Sequence, residues 1–248
     1  MPLGPLPLLV DIIHILRSCG LRVSVIIPTI NEEIALPELL AALRLMDHRV
    51  EIIVVDGGST DRTCELAHRA DRWVTSAKGR GTQQAAGALI ATGDVLWFLH
   101  ADSTPNASAV PAILQALADP ATVCGNFTLS FDGDSPTAQT LSRIYPLLRP
   151  LGLCYGDSGI FVRRLTYEAI GGFRPLPLFE DVDLVRRLRR AGRFERLPCV
   201  LSTSSRRFEN RRLFGMFAQW TVLQILYWLG VPPDWLARRY APIRGQSK

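Results

Sequence analysis

An α/β fold with a mostly parallel central sheet flanked by helices follows from two patterns in this chain. Its first hundred residues alternate short continuous apolar runs with helical periodicity, and polar residues follow the ends of those runs. Apolar runs of this kind suit parallel strands covered on both faces. Strand–helix–strand order then gives an open sheet through right-handed crossovers.

The first run, Val23–Pro28, ends at a proline and reads as a buried strand. Asn31–Met46 carries Leu36, Leu39, Leu40 and Leu43 on one helical face. Glu51–Val55 is a second strand, broken by Gly57-Gly58, and Asp61 caps a helix over about Arg62–Arg69. Trp73-Val74 is a short third strand. Gly79–Ile90 opens glycine-rich and continues as a helix, and Val95–Leu99 is a fourth buried strand.

The second half changes character. Pro105–Ala118 reads as a helix. Thr122–Phe131 alternates and reads as a half-buried antiparallel strand, with Val123, Gly125, Phe127, Leu129 and Phe131 sharing a face. Ile160–Arg163 and Pro198–Ser202 are short strands. Glu180–Ala191 is a helix whose Arg186, Arg187, Arg189 and Arg190 suit the negative end of its dipole. Leu213–Val231 is an uncharged helix with arginines beyond both ends. Gln219, Thr221 and Gln224 argue against a span, leaving a helix that packs on the core, on a second copy or on a membrane surface. The expected organisation is an extension over 1–22, an α/β domain over 23–205 and a C-terminal helical segment over 206–248.

With 48% hydrophobic and 21% charged residues in 248, disordered and collagen-like classes are excluded. The net charge of +5 favours anionic partners. No recognition-helix or RNA-platform motif appears, so nucleic acid is not an expected partner. Five cysteines without a C-x-x-C pair read as reduced thiols of a cytoplasmic protein, and the sequons at Asn106 and Asn126 then carry no meaning. Met1–Gly20 lacks a basic leader and is broken by Asp11 and His14, so a cleaved signal peptide is not expected; a helix over about Leu8–Ser18 or an irregular extension is.

Three polar groups follow parallel strands: Asn31 and Glu32, then Asp56, then His100 and Asp102. Ligands in such sheets bind beyond the carboxyl ends of the strands. Carboxylates there hold a base, a ribose or a divalent metal. Each also has a plainer use. Asp56 before two glycines is ordinary turn chemistry, Glu32 and Glu33 suit a helix's first turn, and Asp102 through Pro105 can start a helix. Glu180, Asp181 and Asp183 open one helix, and three acids in four residues exceed what a helix start needs. Lys78 and Arg80 flank Gly79 and can meet phosphate oxygens.

Read in order, VSVIIPTINEE, EIIVVDGGSTDRT, KGRGTQQAAGALIATGD, VLWFLHAD, GDSGIFVRR and FEDVDLVRRLRR resemble a family-2 glycosyltransferase of the GT-A fold. FLHAD and GDSGIFVRR are similar to a small bacterial subgroup associated with radical-SAM and selenoprotein-type domains. The resemblance implies an inverting transfer of one sugar from a nucleotide-diphosphate sugar, UDP-hexose above all, with Mn2+ or Mg2+. It implies that Pro28, Asn31, Glu32, Asp56, Lys78, Arg80, His100 and Ala101 bind the nucleotide. Asp102 is then the metal-binding acid, and Gly156, Asp157 and Gly159 line the sugar or acceptor pocket. Asp181 is the catalytic base, with Glu180 beside it. His100 replaces the first acid of the family's D-x-D. The apolar helix points to a lipid or amphiphilic acceptor, to peripheral contact at the inner membrane face, or to a homodimer. A nucleotidyltransferase and a non-catalytic nucleotide-sugar-binding protein are the competing readings.

Overall fold

A computed structural model describes residues 20–46, 50–132, 138–143, 156–204 and 213–239. The expected helix over about Leu8–Ser18, Cys19, Cys154 and the arginines at 206, 207, 211 and 212 lie outside these residues.

The parallel half forms as the apolar runs require. β1 (Val23–Thr29), β2 (Val50–Asp56), β3 (Arg72–Thr75) and β4 (Val95–Phe98) lie in the order β3-β2-β1-β4, all parallel. Successive side chains feed opposite faces. Val25, Ile27, Ile52 and Val54 pack with α1 (Ala35–Arg44), α2 (Thr63–Ala67) and α4 (Ala109–Ala116). Ile26, Ile53, Val55 and Phe98 pack on the other face, beneath α3 (Arg80–Ile90) and α6 (Glu180–Ala191). Pro28 has no N–H to give, and it lies two residues past the last β1–β4 pair, Ile26 with Phe98. α1 buries the four expected leucines but starts at Ala35, so Glu32 and Glu33 precede the helix and do not sit in its first turn.

Beyond β4 the sheet continues through β7 (Phe161–Arg163), β6 (Thr122–Phe131), β8 (Arg193–Thr203) and β5 (Ser103–Pro105). β7 runs antiparallel to both β4 and β6, whereas β6 and β8 are parallel. β6 therefore sits inside the sheet and is covered on both faces over most of its length, not half-buried. Ser103–Pro105 does not begin a helix. It pairs antiparallel with the end of β8, and α4 starts at Ala109. β8 begins at Arg193, earlier than Pro198, because its first residues pair with β6. The short helix α5 (Arg164–Ala169) follows β7 directly. At the C-terminal side α7 (Leu213–Trp228) and α8 (Pro233–Arg239) pack near α6 through Phe179, Val182, Leu223 and Leu236. No helix among the described residues is long and apolar enough to cross a membrane. Cys64, Cys124 and Cys199 are free thiols.

The amino ends of β1 and β2 are tied by a buried acid. Glu51 accepts from Ser24 Oγ at 2.5 Å and from the Thr92 N–H at 2.7 Å, and Arg72 Nε stands 3.4 Å away. Burial pushes the Glu51 carboxyl up, but the bonds from Ser24 and Thr92 and the charge of Arg72 outweigh it and hold the group below its usual value. A lowered folded-state value means the stabilisation is complete above the ordinary carboxylate range and is lost as pH falls through the folded value. Acidification through that range is expected to destabilise the native chain more steeply than a Glu51→Gln variant, as read by urea midpoints at stepped pH. Equal slopes would show that Glu51 carries none of the acid sensitivity.

Candidate functional site

The carboxyl edge of the sheet is where β1 lies between β2 on one side and β4 on the other. The connections from these strands diverge there and leave a crevice. Two loops form one wall. Asn31 takes a left-handed backbone (φ 55°), which a short amide side chain tolerates. Its N–H donates to Ser59 Oγ at 3.0 Å, and its Oδ1 accepts from the Thr60 N–H at 2.8 Å. The Glu32 N–H donates to Thr63 Oγ1 at 2.7 Å, and the Glu33 N–H to Asp61 Oδ2 at 3.2 Å. Asp61 also accepts from the Thr63 N–H, but α2 runs only over Thr63–Ala67 and the residue at its cap position is Arg62, so Asp61 braces the turn before the helix and is not its cap.

Asp56 is buried at the end of β2. Its Oδ2 accepts from the N–H groups of Gly58 and Ser59 at 3.0 Å each, and its Oδ1 accepts from Ser59 Oγ. The plain turn chemistry is thus realised, and it sets the loop that holds Asn31.

Gln83, on α3, was not singled out by its sequence position. It is buried, and its Nε2 donates to the carbonyls of Thr29 and Val55, each at 2.9 Å. One amide so binds the last turns of β1 and β2. Gly57 permits the approach: a Cβ there would lie 2.8 Å from Gln83 Cδ and 2.9 Å from Ile30 Cγ1. A polar pair, Gln83-Gln84, on the buried side of an otherwise small and apolar helix was the available signal.

The second wall is the start of α6. Gly81 rests against it, since a Cβ at 81 would lie 3.0 Å from Glu180 Cβ and 3.0 Å from the Arg174 carbonyl oxygen. Arg80 Nη1 stands 3.7 Å from Glu180 Oε1. The glycine-rich loop and the acid pair, about a hundred residues apart in sequence, are brought together. Glu180 and Asp181 are both buried. Burial and the neighbouring Asp181 charge push the Glu180 carboxyl up, and Arg80 opposes them. Asp181 Oδ1 accepts from the Val182 N–H at 2.7 Å. Asp183 separates from the pair: it binds Arg187 at 2.7 Å and Arg174 at 3.4 Å, and Arg187 in turn donates to the Ile170 carbonyl. The third acid is an anchor for the helix. Lys78 is exposed at the start of the glycine-rich loop.

The floor comes from the end of β4. His100 and Ala101 are buried and Asp102 is half-buried. The Ser103 N–H donates to the His100 carbonyl at 3.1 Å, making a tight turn into β5. The 3-10 turn Gly156–Ser158 lies alongside, because Phe98 N–H donates to the Ile160 carbonyl. Ser158 Oγ accepts from Asn126 Nδ2 at 2.9 Å, Asp157 is half-buried, and Gly159 is left-handed (φ 64°). Among the described residues no cluster of three or more His, Cys, Asp or Glu side chains is placed to hold a metal.

The family model for glycosyl transferase family 2 matches residues 24–167. The chain belongs to this family. It is 36% identical over 110 residues to 4,4'-diaponeurosporenoate glycosyltransferase of Staphylococcus haemolyticus, covering 39% of this chain and 28% of that one. It is 29% identical over 157 residues to undecaprenyl-phosphate 4-deoxy-4-formamido-L-arabinose transferase of Yersinia pestis, covering 57% and 48%. The chain thus spans less than half the length of either relative. Its fold matches glucosyl-3-phosphoglycerate synthase of Mycobacterium tuberculosis solved with Mg2+ and UDP, at TM-score 0.62 and 19% identity, over 94% of this chain and 86% of that one. It also matches a mannosyltransferase of Pyrobaculum calidifontis solved with GDP-Man and Mn2+, at TM-score 0.62 and 19% identity, over 95% and 78%. The fold is GT-A, as the sequence led us to expect.

Because Arg80 is the cation facing Glu180, Arg80→Ala is expected to move the Glu180 carboxyl further up. Carboxyl-carbon NMR titration of the two proteins reads this directly. An unchanged titration would mean that the ion pair has no electrostatic weight.

Proposed function

We propose that this chain transfers one sugar from a nucleotide-diphosphate sugar, UDP-hexose in the first instance, to an acceptor hydroxyl with inversion at the anomeric carbon. The observation that carries the proposal is the meeting of Arg80 with the Glu180-Asp181 pair at the carboxyl edge. It joins a cation suited to a diphosphate with a carboxylate suited to general-base work, in a crevice rimmed by Asn31, Asp56 and Asp102. The family membership and the nucleotide complexes of the two similar structures support it.

In this reading Pro28, Asn31, Glu32 and Asp56 form the base and ribose side. Lys78, Arg80, His100 and Ala101 border the diphosphate, and Gly156, Asp157 and Gly159 border the sugar. Asp181 takes the proton from the acceptor oxygen as that oxygen attacks the anomeric carbon. The bond to the diphosphate breaks, and its electrons leave on the phosphate oxygen, which Arg80 faces. Glu180 stands beside Asp181, its carboxyl pushed up by burial and by the neighbouring charge, and it faces Arg80. Asp102 would hold a divalent ion with help from His100, and the imidazole nitrogen favours Mn2+ over Mg2+. Such an ion, when bound, offsets the charge that develops on the leaving diphosphate.

The acceptor is read as an amphiphile, since the apolar helix α7 packs beside the acid pair at Phe179. One of the similar sequences is named for an undecaprenyl-phosphate substrate, which supports a lipid-linked acceptor. The small-bacterial subgroup rests on the segments Phe98–Asp102 and Gly156–Arg164. The division at 22/23 and 205/206 remains the proposed organisation.

Asp181→Asn is expected to fold and bind UDP normally while turnover falls about 10²–10⁴-fold, the usual worth of a general base. Near-normal turnover would remove Asp181 from that role. Isothermal titration with UDP and GDP, with and without Mn2+, tests the donor side. UDP binding that needs Mn2+ and disappears in Asp102→Ala is the expected result. Failure of folded protein to bind either nucleotide would defeat the transferase reading.

A further inference from the structure

Helix α7 is apolar on two sides. Leu223 and Gln224 are buried, and Leu223 packs with Phe179, Val182 and Leu236. The opposite side carries Val222, Ile225, Trp228 and Leu229, and Trp235 of α8 follows after the turn. These five are from 42% exposed, at Trp235, to 76% exposed, at Leu229. Val222, Ile225 and Trp228 follow at steps of three along α7, and Leu229, just past its end, lies four after Ile225 and donates its N–H to the Ile225 carbonyl, so the four share one stripe. Singly exposed apolar residues need no explanation, but this stripe with Trp228 in it and Trp235 following on α8 marks an interaction surface.

The charge beside it says what kind. Arg238 and Arg239 are exposed on α8, and the Arg239 guanidinium lies over the Trp235 ring at 3.4 Å. From residue 205 onward the chain has eight basic residues and two acidic ones, Glu209 and Asp234. The residues before it carry 20 basic and 21 acidic side chains. The whole positive excess of the protein therefore lies in the segment that bears the apolar stripe. A second copy set face to face on this stripe would bring two Arg238-Arg239 pairs together. An anionic, apolar-cored partner satisfies both features.

We propose that the exposed face of α7 and α8 docks on an anionic phospholipid surface, with Trp228, Leu229 and Trp235 entering the headgroup layer and the arginines contacting phosphates. The same helix contacts the start of α6 on its other side: Tyr227 stacks on Phe179 with ring centroids 5.0 Å apart. Docking would thus set the Glu180-Asp181 pair within one helix thickness of the bilayer. Vesicle binding needs neither donor nor acceptor, so its failure would leave the transferase reading standing.

The test is co-sedimentation of the full chain with vesicles of phosphatidylcholine alone and of phosphatidylcholine with phosphatidylglycerol. The expected result is binding to the anionic vesicles, weakened by salt. Trp228→Ser combined with Leu229→Ser should cut the partition coefficient about ten-fold or more. Arg238→Gln combined with Arg239→Gln should reduce it at low salt and flatten the salt dependence. All these side chains are exposed, and unchanged unfolding midpoints would confirm that the variants keep the fold. No binding, or equal binding by the native chain and the Trp228/Leu229 variant, overturns the proposal. So does a dimer in light scattering that this variant dissociates while the native chain ignores vesicles, which would assign the face to a second copy.

Discussion

Where parallel strands stop, their last carbonyls lose the ladder and must find other donors, or the crevice they border cannot hold its shape. Here one buried amide meets that demand for two strands at once. Gln83 donates to both Thr29 and Val55. It reaches them because Gly57 leaves room, and the Gly57 N–H itself donates to the Thr29 carbonyl at 3.0 Å. The same helix that carries Gln83 begins with Arg80 and Gly81, so fixing Gln83 also fixes where the glycine-rich loop meets the acid pair. The loops after β1 and β2 are then joined through Asn31, Ser59 and Thr60. Breaking the amide contact would loosen each of these together.

Acids of similar appearance in the sequence do different work here. Glu51 closes the amino end of the sheet, far from the crevice. Asp56 organises its own turn. Asp183 is neutralised by Arg174 and Arg187 and anchors α6. Glu180 and Asp181 precede it within the same helical turn, and Arg80, not an anchoring arginine pair, faces Glu180. The local field separates these roles, because a buried carboxylate is defined by the donors and cations within a few ångströms.

The start of α6 is also strained. Phe179 has a left-handed backbone (φ 64°), a conformation that costs a bulky residue about 1–3 kcal/mol. Its ring lies against Tyr227, within the cluster that includes Leu223 and Leu236. The C-terminal helices therefore hold in place the turn that aims Glu180 and Asp181 at the crevice. A helix whose one face steadies the acid pair and whose other face is apolar and exposed couples that turn to whatever covers the exposed face.

The sequence by itself determined the parallel half. Apolar runs such as Ile52–Val55 cannot be satisfied except between two covering layers, and strand–helix alternation leaves little freedom of topology. It also marked the carboxyl edge, because Asn31, Asp56 and Asp102 each follow a strand. Tertiary structure alone decided the rest. The pairing of β6 with β8, the strand at Ser103–Pro105, the reach of Gln83 to two carbonyls and the capture of Asp183 by arginines all join residues distant in sequence or choose among equivalent acids. Periodicity reports which face of an element is apolar. It carries no record of which neighbour that face, or a single polar group upon it, will meet.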